Sequence, residues 1–486
     1  MMKLYKIILM FIVGIISYGC NDYLDINYDP NLPQKATGDV ILPPLFQDMA
    51  RGELFDTRYI GMYVQNIGST SSNYRADIHG FFTGSDAIGE KWRQHYWAIG
   101  KNVDLIVEDA IENEKPWYAG AALAMRAWSW QTSTDVYGEM ILKQAWEPNR
   151  YVFDYDTQEE IYEEVRVVAN KALEYLNMND ESQSLFNGDL AYQGDATKWE
   201  KFVYAVLARN AHHISNKATY DPDLVISLVE NSFTSNSDNF YVPHEGTNST
   251  NSNFLGPRRS NFGSRKQAAY PIRLVDGTIL NGVVDPRLPM MFNPSVDGQY
   301  RGVVNGSGDP YSGDQKVPTF YNNYIFFDNA DYPIMTYSEL QFIKSEAAFI
   351  KGDKATAYSA YINGISAHMD FVGVDVVDRD NYLASAAVAA DGNVLTVSDI
   401  MLQKYIAMWA HGALETWVDM RRYEYSNTVY KGFNIPNPLW EYNNGNPAYR
   451  CRPRYNSEYV WNIEALEVIG ATAMDYHTKK PWFVLP

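Results

Sequence analysis

The stretch TYSELQFIKSEAAFIKGDKATAYSAYINGISAHMDFVG, Thr336 to Gly373, carries the fold. Thr336 and Glu339 stand in capping-box spacing, and Leu340, Ile343, Ala347 and Ile350 then share one helical face. Gly352 ends that helix, and Asp353 caps the next. Tyr358, Tyr361, Ile362, Ile365 and Met369 repeat the apolar stripe up to Gly373. Two helices and a two-residue turn make a unit the size of a tetratricopeptide-type hairpin, although that repeat's consensus letters are missing.

The same form recurs outward from this hairpin. Residues 88–112 and 116–134 read as helices around the breaker Lys115-Pro116, and Asp156-Thr157 opens another through Ile161, Val165, Val168, Ala172 and Leu176. Residues 198–217 and 399–422 are helical by the same criterion. About eight such helices make about four stacked hairpins, each burying its stripe on its neighbours. The predicted class is mainly α, with minor β and a large irregular face. Long stretches at 52–86, 232–333, 374–398 and 424–456 read as loop insertions, and loops this long carry function in compact domains.

The N-terminus assigns a compartment. Lys3 and Lys6 precede an apolar run, Ile7 to Ile16, too short to cross a bilayer; Gly19 and Cys20 follow. Residues 1–19 read as a lipoprotein signal and Cys20 as the lipidated residue. Residues 20–40, with Pro30 and Pro33, read as an extended tether, and 41–486 as a single helical domain. Loss of Lys3 and Lys6 with the leader takes the formal charge from -19 to -21, which disfavours nucleic acid and other polyanions. Only Cys20 and Cys451 are present, so neither a disulfide framework nor a thiolate metal cluster is expected. Cys451 lies between Arg450 and Arg452, a setting that lowers a thiol pKa, but a lone cysteine outside any motif reads as a small packing residue.

Asp135-Val136-Tyr137-Gly138-Glu139, with Arg126-Ala127-Trp128 before it, resembles the segment that marks SusD/RagB-type outer-membrane lipoproteins. Matching segments follow in order: Asp154-Tyr155-Asp156-Thr157-Gln158, Lys198-Trp199 with Arg209, Asp285-Pro286-Arg287-Leu288-Pro289, and Tyr337-Glu339-Phe342-Glu346-Ala347. Gln403-Lys404-Tyr405, Trp417-Asp419-Arg421-Arg422 and Tyr455-Glu458-Asn462 complete them. The resemblance spans the chain. It implies four tetratricopeptide-like units and a lipid anchor at the outer face of the outer membrane. It further implies a SusC-like TonB-dependent transporter as partner and an oligosaccharide as cargo, bound and not cleaved.

Most signature residues read as structure: Gly138 as a helix C-cap, and Trp417, Asp419, Arg421 and Arg422 as a buried packing and ion-pair cluster. Glu339 and Glu346 lie on one helix face rather than on opposing walls of a cleft, which argues against glycoside hydrolysis. His212-His213 point about 100° apart on a helix and do not chelate together. Asn305 to Asp314 carries oxygen ligands in a glycine loop, where Ca²⁺ is conceivable but the EF-hand order is absent, so a turn is expected and no cofactor is assigned. The candidate ligand residues are loop aromatics and their polar neighbours, because a pyranose stacks its C–H face on a ring and bonds its rim to polar groups. They are Tyr74, Arg75, Asp77, Phe82 and Trp92; Tyr300 and Tyr311 beside Arg301; and Tyr321 and Tyr324. A neutral sugar bound there would show little salt dependence. Peptide capture remains the alternative cargo.

Overall fold

The computed structural model describes residues 36–82 and 84–486, so the leader, Cys20 and most of the tether lie outside the described residues. Among the described residues helix α1 (Gly38–Tyr63) comes first, then α2 (Lys101–Glu112), which continues a turn at Glu90–Arg93 and a π-helical stretch at Gln94–Gly100. Helices α3 (Pro116–Tyr137), α4 (Gln158–Leu176), α5 (Ala196–His213) and α6 (Pro222–Glu230) follow. After α7 (Ala269–Val275) come α8 (Tyr337–Lys351), α9 (Lys354–Val372), α10 (Val376–Leu383), α11 (Val397–Ala407) and α12 (Ala413–Arg422).

The helices stack as hairpins. Helix α3 packs on α2 and α4, α4 on α5, and α5 on α6; α8 lies against α6 and α9, and α11 against α8. Thr157 and Glu160 form a reciprocal capping box at the start of α4, and Asp353 accepts from the Thr356 amide at the start of α9. Gly352 and Gly373 end α8 and α9 in the left-handed conformation, as their spacing predicts. At α8 the box is half made. Thr336 accepts from the Glu339 amide, but the Glu339 carboxylate turns inward to Arg209, because a buried guanidinium competes better than a helix-end amide. Among the described residues no helix is long and apolar enough to cross a membrane.

Several boundaries differ from the sequence reading. The tether does not run to residue 40 and the first loop does not begin at 52, since α1 spans both positions. Pro43 and Pro44 lie inside this helix, and its buried residues surround it, so it has no single apolar stripe to read. The 374–398 stretch contains α10, and 232–333 contains α7 and two short strands. The predicted 399–422 helix is two helices broken at 408–412, where Ala410 takes a positive φ.

The sheets are small and antiparallel. Strand β1 (Ile67–Ser69) pairs with β3 (Arg265–Gln267), setting Ser69 opposite Arg265, and β2 (Phe240–Val242) pairs with β4 (Tyr332–Met335). Each pairing ties a distant loop to the helical scaffold.

The signature residues gather in a buried ionic network where α5, α8, α11 and α12 meet. Arg209 pairs with Glu339 at 2.5 Å, and Arg422 bridges Glu346 and Asp419, each at 2.6 Å. Lys404 reaches Asp419 at 2.8 Å, and His213 lies between Asp135 and Glu415 at 3.1 and 3.0 Å. Arg421 covers the Trp417 ring at 3.8 Å and donates to the carbonyls of Asp135 and Tyr449. Glu339 and Glu346 are therefore committed to guanidinium partners inside the core. Cys451 is buried too; burial pushes its thiol well above its ordinary range and makes it inert.

Candidate functional site: a ladder of rings and guanidinium groups

Helix α1 presents Arg51, Phe55, Arg58 and Tyr59 on one face, at spacings of four, seven and eight residues. The β1–β3 pairing brings Arg265 beside this face and beside the loop that follows β1. That loop, 70–82, is held at both ends. Asp77 is fully buried, and its carboxylate accepts from the Ser69 amide at 2.9 Å and from Asn305 Nδ2 at 2.7 Å. At the far end the Trp440 amide donates to the Ile78 carbonyl, and Asn443 Nδ2 donates to the His79 carbonyl. Gly80 makes this junction possible, because a Cβ there would stand 2.5 Å from Arg75 and 2.8 Å from Trp440.

These elements assemble an alternating ladder. The Arg259 guanidinium lies 5.6 Å from the centre of the Phe254 ring, and Arg58 lies 5.3 Å from the same ring. Arg58 is 5.7 Å and Arg265 4.9 Å from the Tyr59 ring, and Arg265 is 5.7 Å from Tyr74. Tyr74 leans on Phe82 at 5.8 Å, Arg75 stands over Phe82 at 5.4 Å, and Arg75 also covers Trp440 at 5.2 Å. Each contact is within cation–π or ring-packing reach. Tyr59, Tyr74, Phe82 and the four arginines are half-buried, with one side turned to solvent. Backbone carbonyls orient the guanidinium groups: Arg58 Nε donates to Phe55, and Arg265 Nε donates to Arg58. Arg265 also donates to the Tyr74 hydroxyl at 3.1 Å.

Next to the Phe254 end lies a cleft of about 670 Å³, lined by Arg51, Arg258, Arg259, His244, Asp48 and Asn261 among others. Burial raises the Asp48 carboxyl above its ordinary range, against the pull of Arg51 and Arg93.

The structure joins Tyr74, Arg75 and Phe82, turns Asp77, Trp92 and Tyr324 inward, and leaves Tyr300 and Tyr311 on an adjoining loop. Asp77 faces inward, its carboxyl pushed up to about 7 by burial, and it holds the loop without facing ligand. Trp92 is buried against Tyr137, edge to face at 5.1 Å, because its position opens the α2 region under the scaffold. Tyr324 stacks on Trp409 at 5.8 Å with its hydroxyl against His411, in an inner aromatic cluster that also takes Phe320. Tyr321 packs on the core's edge, and its carbonyl accepts from Asn293. Tyr300 is half-buried in a bridge to Pro294, whereas Tyr311 is exposed beneath Arg301 at 5.3 Å. Their loop meets the first through the Asn73 amide on Gly306 and the Asp309 amide on Thr70, so it walls the same face. Asn305 and Asp309 spend their side chains on such internal bonds, making 305–309 a turn.

Tyr59, Arg58, Phe254, Arg259, Arg265 and Trp440 were missed. A partial signal existed for the first two, whose spacing with Arg51 and Phe55 marks a polar-aromatic helical face. For the others, sequence distance hides the contact.

A family model described as "Starch-binding associating with outer membrane" matches residues 30–450. In fold the chain is similar to a SusD/RagB family protein from Bacteroides thetaiotaomicron, with TM-score 0.71 and 22% identity over 93% of this chain and 99% of that one. It is similar to a SusD homologue from Bacteroides uniformis, with TM-score 0.74 and 19% identity over 92% of this chain and 99% of that one. A chitin-binding SusD homologue from Flavobacterium johnsoniae has TM-score 0.74 and 18% identity, over 92% of this chain and 98% of that one. No curated protein matches the chain in sequence.

Proposed function

The chain belongs to the SusD-like family, and from that premise we propose that it is a cell-surface glycan-binding protein that captures an oligosaccharide for import. The observation that carries this reading is the solvent-facing ladder around Tyr59, Tyr74 and Phe82. Rings alternating with polar groups on one rigid face match the two-sided chemistry of a pyranose chain. The family's description supports outer-membrane association, and the chitin-binding relative is compatible with a saccharide cargo. Delivery to a SusC-like TonB-dependent transporter completes the proposal, with the protein binding its cargo and leaving every bond intact. Glu339 and Glu346 are enclosed in ion pairs with Arg209 and Arg422 and do not face a cleft as a hydrolytic pair would.

Calorimetry against a glycan panel tests the cargo class. Tyr74→Ala with Phe82→Ala is expected to weaken glycan binding about tenfold while melting stays near wild type, since each ring contributes on the order of 1 kcal/mol of stacking. Full affinity in that double variant, or binding of a peptide pool with every glycan ignored, would refute the reading. New reducing ends after incubation with a bound glycan would instead make the protein a hydrolase.

The anchor has its own test. In this proposal Cys20 carries the lipid, so Cys20→Ala is expected to yield a folded protein released from the membrane fraction. A variant still pelleting with outer membranes and extracted only by detergent would argue against lipidation at Cys20.

A further inference from the structure

The overall charge of -19 hides a concentration of opposite sign on the ladder face. Among the described residues Arg58, Arg75, Arg259 and Arg265 pair with no carboxylate. Ion pairs form only at the edges, where Arg51 meets Glu90 at 3.0 Å and Arg258 meets Asp328 at 3.7 Å. Burial lowers the proton affinity of Arg58 and of Arg259. A neighbouring like charge acts in the same direction, Arg265 on the first and Arg51 on the second. Four guanidinium groups thus stand in contact with rings and, among the described residues, with no carboxylate at ion-pair distance; Asp56 acts on Arg58, and Arg265 on Asp77, only through longer-range attraction.

The donor inventory is as uneven as the charge. Arg58 uses two of its nitrogens on carbonyls, Arg75 makes one long bond of 3.5 Å to Phe81, and Arg259 makes none among the described residues; Arg265 bonds once from each nitrogen, which leaves it only its second Nη hydrogens. A guanidinium donates and never accepts. The hydroxyl rim of a neutral sugar needs partners of both kinds, usually a mixture of acids, amides and cations. A row of arginines offers almost only donors, the arrangement that suits carboxylate or sulfate oxygens, which only accept. The acids nearby do not cancel it: Glu90 and Asp328 are already paired, Glu245 is held by Asn251, and Asp48 lies inside the cleft with its carboxyl raised. Asp56 and Asp77, which act on Arg58 and Arg265, are buried behind the face, accept from the Lys91 and Ser69 amides, and are pushed up to about 7 by burial.

We propose that the ladder and the adjoining cleft bind an anionic glycan, one whose pyranose units carry carboxylate or sulfate groups. The rings take the sugar faces, and Arg58, Arg75, Arg259 and Arg265 take the anionic oxygens at successive units. This assignment rests on the glycan-binding reading above and replaces the neutral-sugar expectation. Net charge disfavoured polyanions in the sequence, but a sum over a whole surface does not describe one face of it.

The test uses the mature protein and three oligosaccharides of equal length: an oligogalacturonide, a sulfated galactan fragment and a malto-oligosaccharide. Titrations at about 20 and about 200 mM salt are expected to show one acidic ligand bound, with affinity falling about tenfold at the higher salt. The arm that binds tells carboxylate from sulfate. The double variant Arg58→Gln, Arg259→Gln is expected to lose about tenfold in affinity for that ligand while its melting point stays within a few degrees. Should that pair unfold the protein, Arg259→Gln alone, a side chain with no hydrogen bond to lose, is expected to lose several-fold. Preference for the malto-oligosaccharide with little salt dependence would overturn the anionic assignment and leave glycan binding standing. Acidic-ligand affinity unchanged by the arginine variants would also overturn it. Failure of all three saccharides to bind would remove both.

Discussion

Arg422→Ala is expected to destabilise the protein by about 3–5 kcal/mol, the range for breaking a buried pair from one side. Arg422 is buried and gives four hydrogen bonds: Nη1 to Glu346 Oε1 at 2.6 Å and to Ser215 Oγ at 2.7 Å, Nη2 to Glu346 Oε2 at 3.0 Å and to Asp419 Oδ1 at 2.6 Å. Truncation leaves two carboxylates in the core, Glu346 with the Tyr423 hydroxyl and with His212, whose proton affinity burial lowers, and Asp419 with Lys404. The size of the loss comes from those orphaned acids more than from the lost bonds. Adding Glu346→Gln to Arg422→Ala is therefore expected to recover part of the stability, because it removes one stranded charge. Urea unfolding followed by tryptophan fluorescence checks both statements, and Arg422→Lys, which keeps the charge without the fork, is expected to fall between. A loss below about 1 kcal/mol in Arg422→Ala would mean that water replaces the guanidinium and that the network is not closed.

Acidification is expected to unfold the protein well above the pH at which surface carboxylates titrate. His79, His411 and His477 are each held down to about 3, chiefly by burial, and His95 and His368 are also held well below their ordinary value. Their rings explain this. His79 Nδ1 accepts from the Ala448 amide, which bars a proton there, and among the described residues His79, His95 and His368 each have one buried ring nitrogen without a hydrogen-bond partner. A group whose pKa is lowered by folding contributes stability that is full above its unfolded value, about 6.5, and is lost as pH falls toward the folded one. Asp56 and Asp77, raised to about 7 by burial, oppose this, since folding becomes easier for them as pH drops from 7. Burial lowers His212 and His244 as well, and it also raises Glu53 and Glu339. Glu346 and Glu415, which burial alone would raise, are held well below their ordinary range by Arg422 and His213. The lowered groups outnumber the raised ones, so stability is expected to fall below about pH 6. His213 behaves oppositely. Burial alone would lower it, but Glu415 and Asp135 outweigh burial and hold it up to about 9. Its contribution is full below about 6.5 and is lost as pH rises through 9. Calorimetric melting across pH 4 to 10 should thus peak between about 6.5 and 8. A profile flat from 6.5 to 4.5 would show that these rings accept protons without leaving the fold.

The hairpin at 336–373 was legible because each half has one wet face and one dry face, so burial writes a 3.6-residue period into the letters. Helix α1 was not, since contacts surround it and two prolines interrupt the pattern. The signature acids and arginines were read correctly as structural, but their partners were invisible. Arg209 and Glu339 are 130 residues apart, and Arg421 and Asp135 are 286 apart. Two of the loop-aromatic candidates, Tyr74 and Phe82, are on the face; Trp92 and Tyr324 turned inward, because a loop aromatic has the same letter whether it stacks on solvent or on Trp409. By itself the sequence determined what local periodicity and short spacing encode: the helical class, the caps and the family. Only the tertiary structure decided which residues share the candidate face, because Arg259 and Arg265, rings from α1 and the 74–82 loop, and Trp440 become neighbours only when the core excludes water and the β1–β3 pairing fixes their register.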